Sequence, residues 1–346
     1  MAYQNKYGKK KNTWLNWLYP VVMLVLIGVA VALIYDYNPF RKKQTSDVPV
    51  SAEVKVEKKA PVADVVAPAV SKTEPVSEPC STSAAPAPAV DPNAKIASGI
   101  SEAMSCLNAQ PPRIIEARDK LNDLLRESLT PLQTAYIKEQ LSALSDKWLF
   151  SRTIFPQDGL CGSYTVKPGD LFAIIGRQFK VPYEILMDIN KVKNAQALQA
   201  GQTLKIVNGP FHARVFRSTF KLDLYLQDTY VKTFDVGLGK PGMETPKGLW
   251  IAKSDGKLIR PDWTDPVTGK VYNSDSPDYP LGDRWISLDG VQGDAKDRIG
   301  FAIHGTNEPN TIGTASSQGC IRMKNEDVLS VYNILIPGFS QVEVVD

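Results

Sequence analysis

The chain has 346 residues, 43% of them hydrophobic, and a formal net charge of +3. That length suggests two or three domains with real cores, and the mild charge, with no dense Lys/Arg stripe beyond the first few residues, excludes a nucleic-acid partner. Two histidines far apart and four cysteines without C-x-x-C or zinc spacing (Cys80, Cys106, Cys161 and Cys320) argue against a protein-built metal site. Nothing in the sequence calls for a cofactor.

At the N-terminus, Lys6, Lys9, Lys10 and Lys11 precede an uncharged apolar run, Val21 to Ile34. With the flanking Trp14, Leu15, Trp17, Leu18 and Tyr19, the segment approaches the roughly 20 residues a helix needs to cross a bilayer. Trp14, Trp17 and Tyr19 on one side, and Tyr35 and Tyr37 on the other, suit the two interfaces. Residues 1–13 therefore read as a cytoplasmic tail and 14–37 as a transmembrane anchor. Arg41, Lys42 and Lys43 on the far side oppose that orientation. The alternative is a cleaved signal peptide, because Ala30-Val31-Ala32 has the A-x-A form. On either reading the remainder is exported. Residues 38–90 are rich in Pro, Ala, Val and Ser with almost no aromatics, and contain Cys80. Such a segment cannot bury enough apolar surface to offset its ordering entropy, and it reads as a disordered Pro/Ala-rich tether.

A helical unit is expected over 91–155. Asp91-Pro92 suits a cap followed by a first helical residue. Ile96, Ile100, Met104 and Leu107 fall on one helical face, as do Ile114, Ala117, Leu121 and Leu124. Thr130-Pro131-Leu132-Gln133 reads as a capping box opening a third helix, with Ile137, Leu141, Leu144 and Trp148 buried. No reactive constellation lies here, so the unit serves packing or a partner. A Cys106–Cys161 bridge is conceivable in an oxidising compartment, but spacing does not establish it.

The next stretch changes character. A strand over Tyr164–Val166, a Pro-Gly-Asp turn with Asp170 capping a helix, a second helix from Pro182, and a strand over Thr203–Val207 make a βααβ unit. Through "YTVKPGD", "VPYEILMDIN" and "LQAGQTLKI", residues 164–207 resemble a LysM module, a family that binds N-acetylglucosamine-containing glycans. The resemblance implies a groove lined by the turn Gly169-Asp170-Leu171, by Asn190 and by the loop after it. Leu171 stands where many members have Thr or Ser. A purely structural role for this turn remains open.

From Phe211 strands dominate. Phe220, Leu222, Leu224 and Leu226 alternate with polar residues and lead through a short connection to Phe234, Val236 and Leu238, a hairpin. "LWIAK", "RWISL", "GFAIHG" and "SQVEVV" are further strands. One late helix is expected, capped near Asn325. Residues 211–346 thus form a β-rich domain, expected as sheets packed face to face.

Its chemistry centres on "GFAIHGTNEPNTIGTASSQGCIRM". His304 ends an apolar strand, and Cys320 follows sixteen positions later behind a glycine that permits close backbone approach. An imidazole in reach can take the thiol proton and leave an ion pair, a nucleophile for acyl transfer. Backbone N–H groups at Gln318, Gly319 and Cys320 can point at an oxyanion, one such donor being worth about 3–4 kcal/mol. Arg322, with Ser317, can meet a substrate carboxylate. A structural histidine and a disulfide-bonded cysteine are the alternatives these residues alone leave open.

This stretch resembles the signature of the YkuD-type L,D-transpeptidases: His-Gly, a spacer, then Ser/Thr-His-Gly-Cys, an apolar residue and Arg or Asn. "VGLGKPGMETPKGLWIA" and "YPLGDRWISL" extend the likeness over nearly all of 211–346. The resemblance implies Cys320 as nucleophile, His304 as base and the Gly305 backbone carbonyl as its orienting group. It implies attack on a peptidoglycan stem tetrapeptide, release of a D-amino acid, and transfer of the acyl group to an amine of a second stem, giving a 3→3 cross-link. Family members are sensitive to acylating carbapenems. One position departs: Gln318 stands where the family has His. His212 reads as structural.

The expected architecture is multidomain α+β: a transmembrane helix, a three-helix unit, a βααβ LysM module and a sandwich-like L,D-transpeptidase domain. The expected partners are stem peptides and glycan strands, with the cytoplasmic membrane held through the N-terminal helix. The expected location is the bacterial inner membrane, single-pass, with the catalytic domain in the periplasm or outer envelope space. Two alternatives remain: the same acyl-enzyme resolved by water or a free D-amino acid (L,D-carboxypeptidase or exchange), or a catalytically weak wall-binding scaffold.

Overall fold

The computed structural model describes residues 92–346. The tail (1–13), anchor (14–37) and tether (38–90), with Cys80 and Asp91, lie outside the described residues. Among the described residues no helix is long and apolar enough to cross a membrane.

Three helices come first: α1 (Pro92–Asn108), α2 (Ile114–Leu124) and α3 (Pro131–Trp148). Their periodicity is read correctly from the sequence. Ile114, Ala117, Leu121, Leu124, Ile137, Leu141, Leu144 and Trp148 are all buried. The capping box is present: Thr130 Oγ1 accepts the Gln133 N–H, and Gln133 Oε1 accepts the Thr130 N–H. Two orphan donors at the start of α3 are thereby satisfied.

The βααβ unit follows as β1 (Cys161–Thr165), α4 (Phe172–Gln178), α5 (Tyr183–Asn190) and β2 (Thr203–Val207). The strands pair antiparallel, Cys161 opposite Val207 and Thr165 opposite Thr203. β1 begins three residues earlier than expected. Asp170 does not cap α4, whose N-cap is Leu171 with no side-chain bond. Its carboxylate instead accepts the Tyr164 hydroxyl and the Lys167 N–H, both at 2.8 Å, and so shapes the turn. Cys106 and Cys161 are both free thiols, so the conceivable bridge is not made. Each has its own charged neighbours, Arg113 and Glu116 for Cys106, and Lys205 and Asp158 for Cys161.

The remaining strands are β3 (Phe211–Phe216), β4 (Lys221–Leu226), β5 (Thr229–Asp235), β6 (Leu238–Gly239), β7 (Gly248–Ile259), β8 (Trp263–Thr264), β9 (Val271–Tyr272), β10 (Arg284–Gly293), β11 (Phe301–His304), β12 (Ala315–Ser317), β13 (Ile321–Arg322) and β14 (Gln341–Val345), with helix α6 (Asn325–Tyr332) before the last. The expected pair of stacked sheets is replaced by one eight-stranded mixed sheet in the order β13-β11-β10-β7-β14-β3-β4-β5. That sheet curls until its edges meet. Just beyond β5, Gly237 exchanges two backbone bonds with Arg322 of the opposite edge strand, at 2.9 and 2.8 Å. Closure satisfies backbone groups that an open edge would leave unpaired.

The helical unit covers the β5 side of this sheet. Asn122 donates to the Asp228 carbonyl (3.3 Å) and accepts the Tyr230 N–H (2.9 Å), while Lys138 is ion-paired with the fully buried Asp223. On its other side, Lys205 of β2 donates from its buried ammonium to the carbonyls of Ser151 and Thr153 just past α3, at 2.9 and 2.7 Å. A buried cation at a helix C-terminus finds both hydrogen-bond acceptors and the favourable end of the helix dipole. The unit expected to serve packing or a partner therefore joins the βααβ module to the β-rich domain.

Candidate active site

β11 is short and apolar on one face. It pairs antiparallel with β10 (Trp285 opposite His304, Ser287 opposite Ala302) and parallel with β13 (Ile303 opposite Ile321, His304 opposite Arg322). Carrying that register back by one residue sets Cys320 opposite Ala302, whose backbone lies against the sulfur. Paired residues share a face and side chains alternate along a strand. Trp285, Ser287, Ala302, His304, Cys320 and Arg322 consequently project to one side, with His304 and Cys320 as diagonal neighbours.

The imidazole is fixed from two directions. Its Nδ1 lies 2.6 Å from the Gly305 carbonyl oxygen, and its ring stacks on Trp285 with centroids 5.3 Å apart and planes at 17°. A carbonyl can only accept, so Nδ1 carries the proton and Nε2 keeps its lone pair. Burial pulls the His304 pKa down to about 4; the backbone of Gly305 opposes this, Arg322 adds to it, and the backbone of Leu281 opposes it. Burial also pushes the Cys320 thiol up to about 11, against the Ala302 backbone and Arg322. Burial disfavours the charged form of both groups, so the ion pair that an imidazole and a thiol can form has to be made against the pocket. The sulfur itself lies 3.9 Å from the Gly300 carbonyl oxygen. A neutral imidazole with its lone pair on Nε2 can accept the thiol proton as the sulfur attacks.

The loop before Cys320 is tightly organised. Ser317 is buried; its hydroxyl donates to the Cys320 carbonyl (2.7 Å) and accepts the Gly319 N–H (3.1 Å). The Ser317 hydroxyl is engaged within the turn, and the Gly319 amide is already bonded to it. The amides of Gln318 and Cys320 have no partner among the described residues. Gly319 has φ +114°, and a Cβ there would lie 2.7 Å from Phe301 Cε1. Its carbonyl accepts from Thr245 Oγ1 at 2.9 Å. Gln318 is exposed, with Nε2 3.4 Å from Asp265 Oδ1. Arg322 is ion-paired with the exposed Glu308 at 3.2 Å.

Sequence reasoning missed Trp285, Thr245, Glu308 and Asn325 as parts of this site. Trp285 had a signal: in "RWISL" it sits on the polar face, opposite the buried Ile286 and Leu288. The other three become visible only when distant segments meet.

The family model for the L,D-transpeptidase catalytic domain matches residues 210–344, and that for the LysM domain matches residues 164–207. The chain is 32% identical over 188 residues to the putative L,D-transpeptidase YkuD of Bacillus licheniformis, covering 97% of that protein and 52% of this one. It is 30% identical over 189 residues to the putative L,D-transpeptidase YkuD of Bacillus subtilis, covering 98% of that protein and 53% of this one. The chain belongs to the YkuD L,D-transpeptidase family. Among solved structures, L,D-transpeptidase 3 from Mycobacterium tuberculosis is 18% identical with a TM-score of 0.31, over 42% of this chain and 66% of that one, a likeness too low to add to the assignment.

In this L,D-transpeptidase the LysM positions separate. Gly169, at φ +88°, and Leu171, 60% exposed, face solvent with Ile174 beside them. Asp170 is committed to its turn. Asn190 is buried, and its amide donates to the Leu186 and Lys205 carbonyls and accepts the Lys205 N–H, all at 2.8 Å. Its side chain clips α5 to β2 from a buried position. His212 is fully buried in β3, and its Nδ1 accepts the Gln341 N–H at 3.1 Å, in keeping with a structural role.

Proposed function

We propose that Cys320 and His304 carry out the L,D-transpeptidase reaction on peptidoglycan in a cell-wall-associated, extracytoplasmic setting. The neutral His304 Nε2 takes the thiol proton as Sγ attacks the donor carbonyl before the terminal D-residue of a stem tetrapeptide. The amides of Cys320 and Gln318 receive the oxyanion. As the intermediate collapses, the proton passes from Nε2 to the leaving nitrogen, and a D-amino acid departs from a thioester. The acceptor amine then attacks the thioester, gives its proton to Nε2, and the thiol is restored with a 3→3 amide bond formed. Arg322 exchanges Glu308 for a substrate carboxylate. The observation that carries this reading is the Nδ1 to Gly305 bond of 2.6 Å, which puts the ring proton on Nδ1 and leaves Nε2 its lone pair, in a side chain that shares a sheet face with Cys320.

The LysM module holds the glycan strand through Gly169 and Leu171, raising the local concentration of stems. The N-terminal segment tethers the enzyme to the cytoplasmic membrane. Incubation with disaccharide tetrapeptide and mass analysis of products tests the reaction. The expected product is a dimer one D-amino acid lighter than two donors, absent with Cys320→Ala. Disaccharide tripeptide in place of dimer would instead establish water as acceptor.

A further inference from the structure

Asn325 opens α6, where sequence suggested a helix cap. The observed N-cap is Lys324, without a side-chain bond, and the Asn325 carboxamide turns away from the helix. Its Oδ1 accepts the Asp283 N–H and its Nδ2 donates to the Thr306 carbonyl, each at 3.3 Å. The same Oδ1 fits against two glycines. A Cβ at either Gly282 or Gly305 would collide with it. One amide therefore ties the turn at 282–283 to the turn at 305–306. Those turns bear the two backbone segments that face His304: Gly305, whose oxygen is 2.6 Å from Nδ1, and Leu281.

We propose that Asn325 is a positioning residue for His304: by tying these two turns together it sets the Gly305 carbonyl that keeps the imidazole proton on Nδ1 and leaves Nε2 facing Cys320. The inference rests on the reading of His304 as base. Asn325 hydrogen-bonds backbone, at Asp283 and Thr306, and acts on the imidazole through it. Its exposure means that replacing it hollows no core. Without the clamp, the 305–306 turn loses its bond to Asn325, and the Gly305 oxygen is free to swing. A net hydrogen bond of about 1 kcal/mol then no longer favours one tautomer.

The chain supplies its own control. It has two histidines, and their bonds call for opposite tautomers. His304 donates from Nδ1, whereas His212 accepts at Nδ1 and so carries its proton on Nε2. Nitrogen-15 histidine NMR of the full chain reads both. In Asn325→Ala, the His304 Nδ1–H to Nε2–H ratio should fall about fivefold to tenfold, with the His212 pattern unchanged. The iodoacetamide rate at Cys320 near neutral pH should fall with it. A wild-type His304 tautomer in a variant whose His212 pattern is intact overturns the proposal. Should the alanine variant lose the His212 pattern, Asn325→Asp is read in its place, since it keeps Oδ1 and sets a carboxylate oxygen against the Thr306 carbonyl where the amide donated; the tautomer is then read well above the pKa of His304, so that the added charge does not protonate the ring. The same shift is expected there, and a wild-type signature again overturns the proposal. Failure of the base reading shows differently: cross-linking would survive His304→Gln while the tautomer result stood.

Discussion

Trp285 lies nearly parallel to His304, ring centroids 5.3 Å apart, and is its register partner across the β10–β11 pairing. The indole excludes water from one face of the imidazole and so sustains the burial that lowers its pKa to about 4. Activity that depends on neutral His304 should hold from pH 7 down to near pH 4. In Trp285→Ala, water reaches the ring, and the acid limb of kcat/KM should move up toward the ordinary histidine value of 6.5. The plateau should drop about tenfold as ring placement loosens. An unshifted acid limb in the variant would show that Trp285 does not control the protonation of His304.

The same burial makes a prediction for stability. His212 and His304 are each lowered by burial from 6.5 to about 4 in the folded chain. A depressed folded-state pKa gives stability that is present above the unfolded value and lost as pH falls toward the folded one. Unfolding free energy should thus decline between pH 6.5 and 4, by up to roughly 3 kcal/mol for each histidine. Urea melts of the wild type against His212→Gln, compared at pH 7 and pH 4.5, check the sign. The variant should show the shallower decline, and an equal slope would place the acid sensitivity elsewhere.

Gly319 combines a left-handed backbone with a closed space beside Phe301. In Gly319→Ala the methyl must displace the Phe301 ring, which itself packs on Trp250 at 5.0 Å, or shift the loop that carries Cys320. A cost of about 1–3 kcal/mol in stability is expected. The loss in acylation should exceed what that destabilisation explains, because the Gln318 and Cys320 amides move with the turn. Thermal melting alongside the rate of carbapenem adduct formation separates the two effects.

Local patterns carried much of this in the sequence. The α3 capping box and the apolar stripes of α2 and α3 are signals within a few residues. The His304–Cys320 pairing was legible because both lie in one short motif. What the sequence hid was long-range. The parallel β11–β13 register, which puts imidazole and thiol on one face, joins strands separated by a loop with no periodic pattern. The closure of the sheet through Gly237 and Arg322 leaves no trace in either segment. Ser317 and Asn190 looked available for ligands because hydroxyl and amide groups give no hint of which neighbours consume them. Asp170 followed the same logic: a good cap residue by type, it was taken by Tyr164. Burial of His304 is a property of the packed site and leaves no mark in the motif.

The central claim is that the Cys320 sulfur, served by His304, becomes acylated by the donor stem. Intact-mass and peptide-level mass spectrometry of the enzyme, trapped seconds after mixing with disaccharide tetrapeptide, test it most directly. The expected result is a mass gain equal to the donor minus its terminal D-amino acid, confined to the peptide containing Cys320, and formed at least about a hundredfold more slowly in His304→Gln. An adduct that persists in Cys320→Ala, or turnover to dimer with no adduct on Cys320, would contradict it.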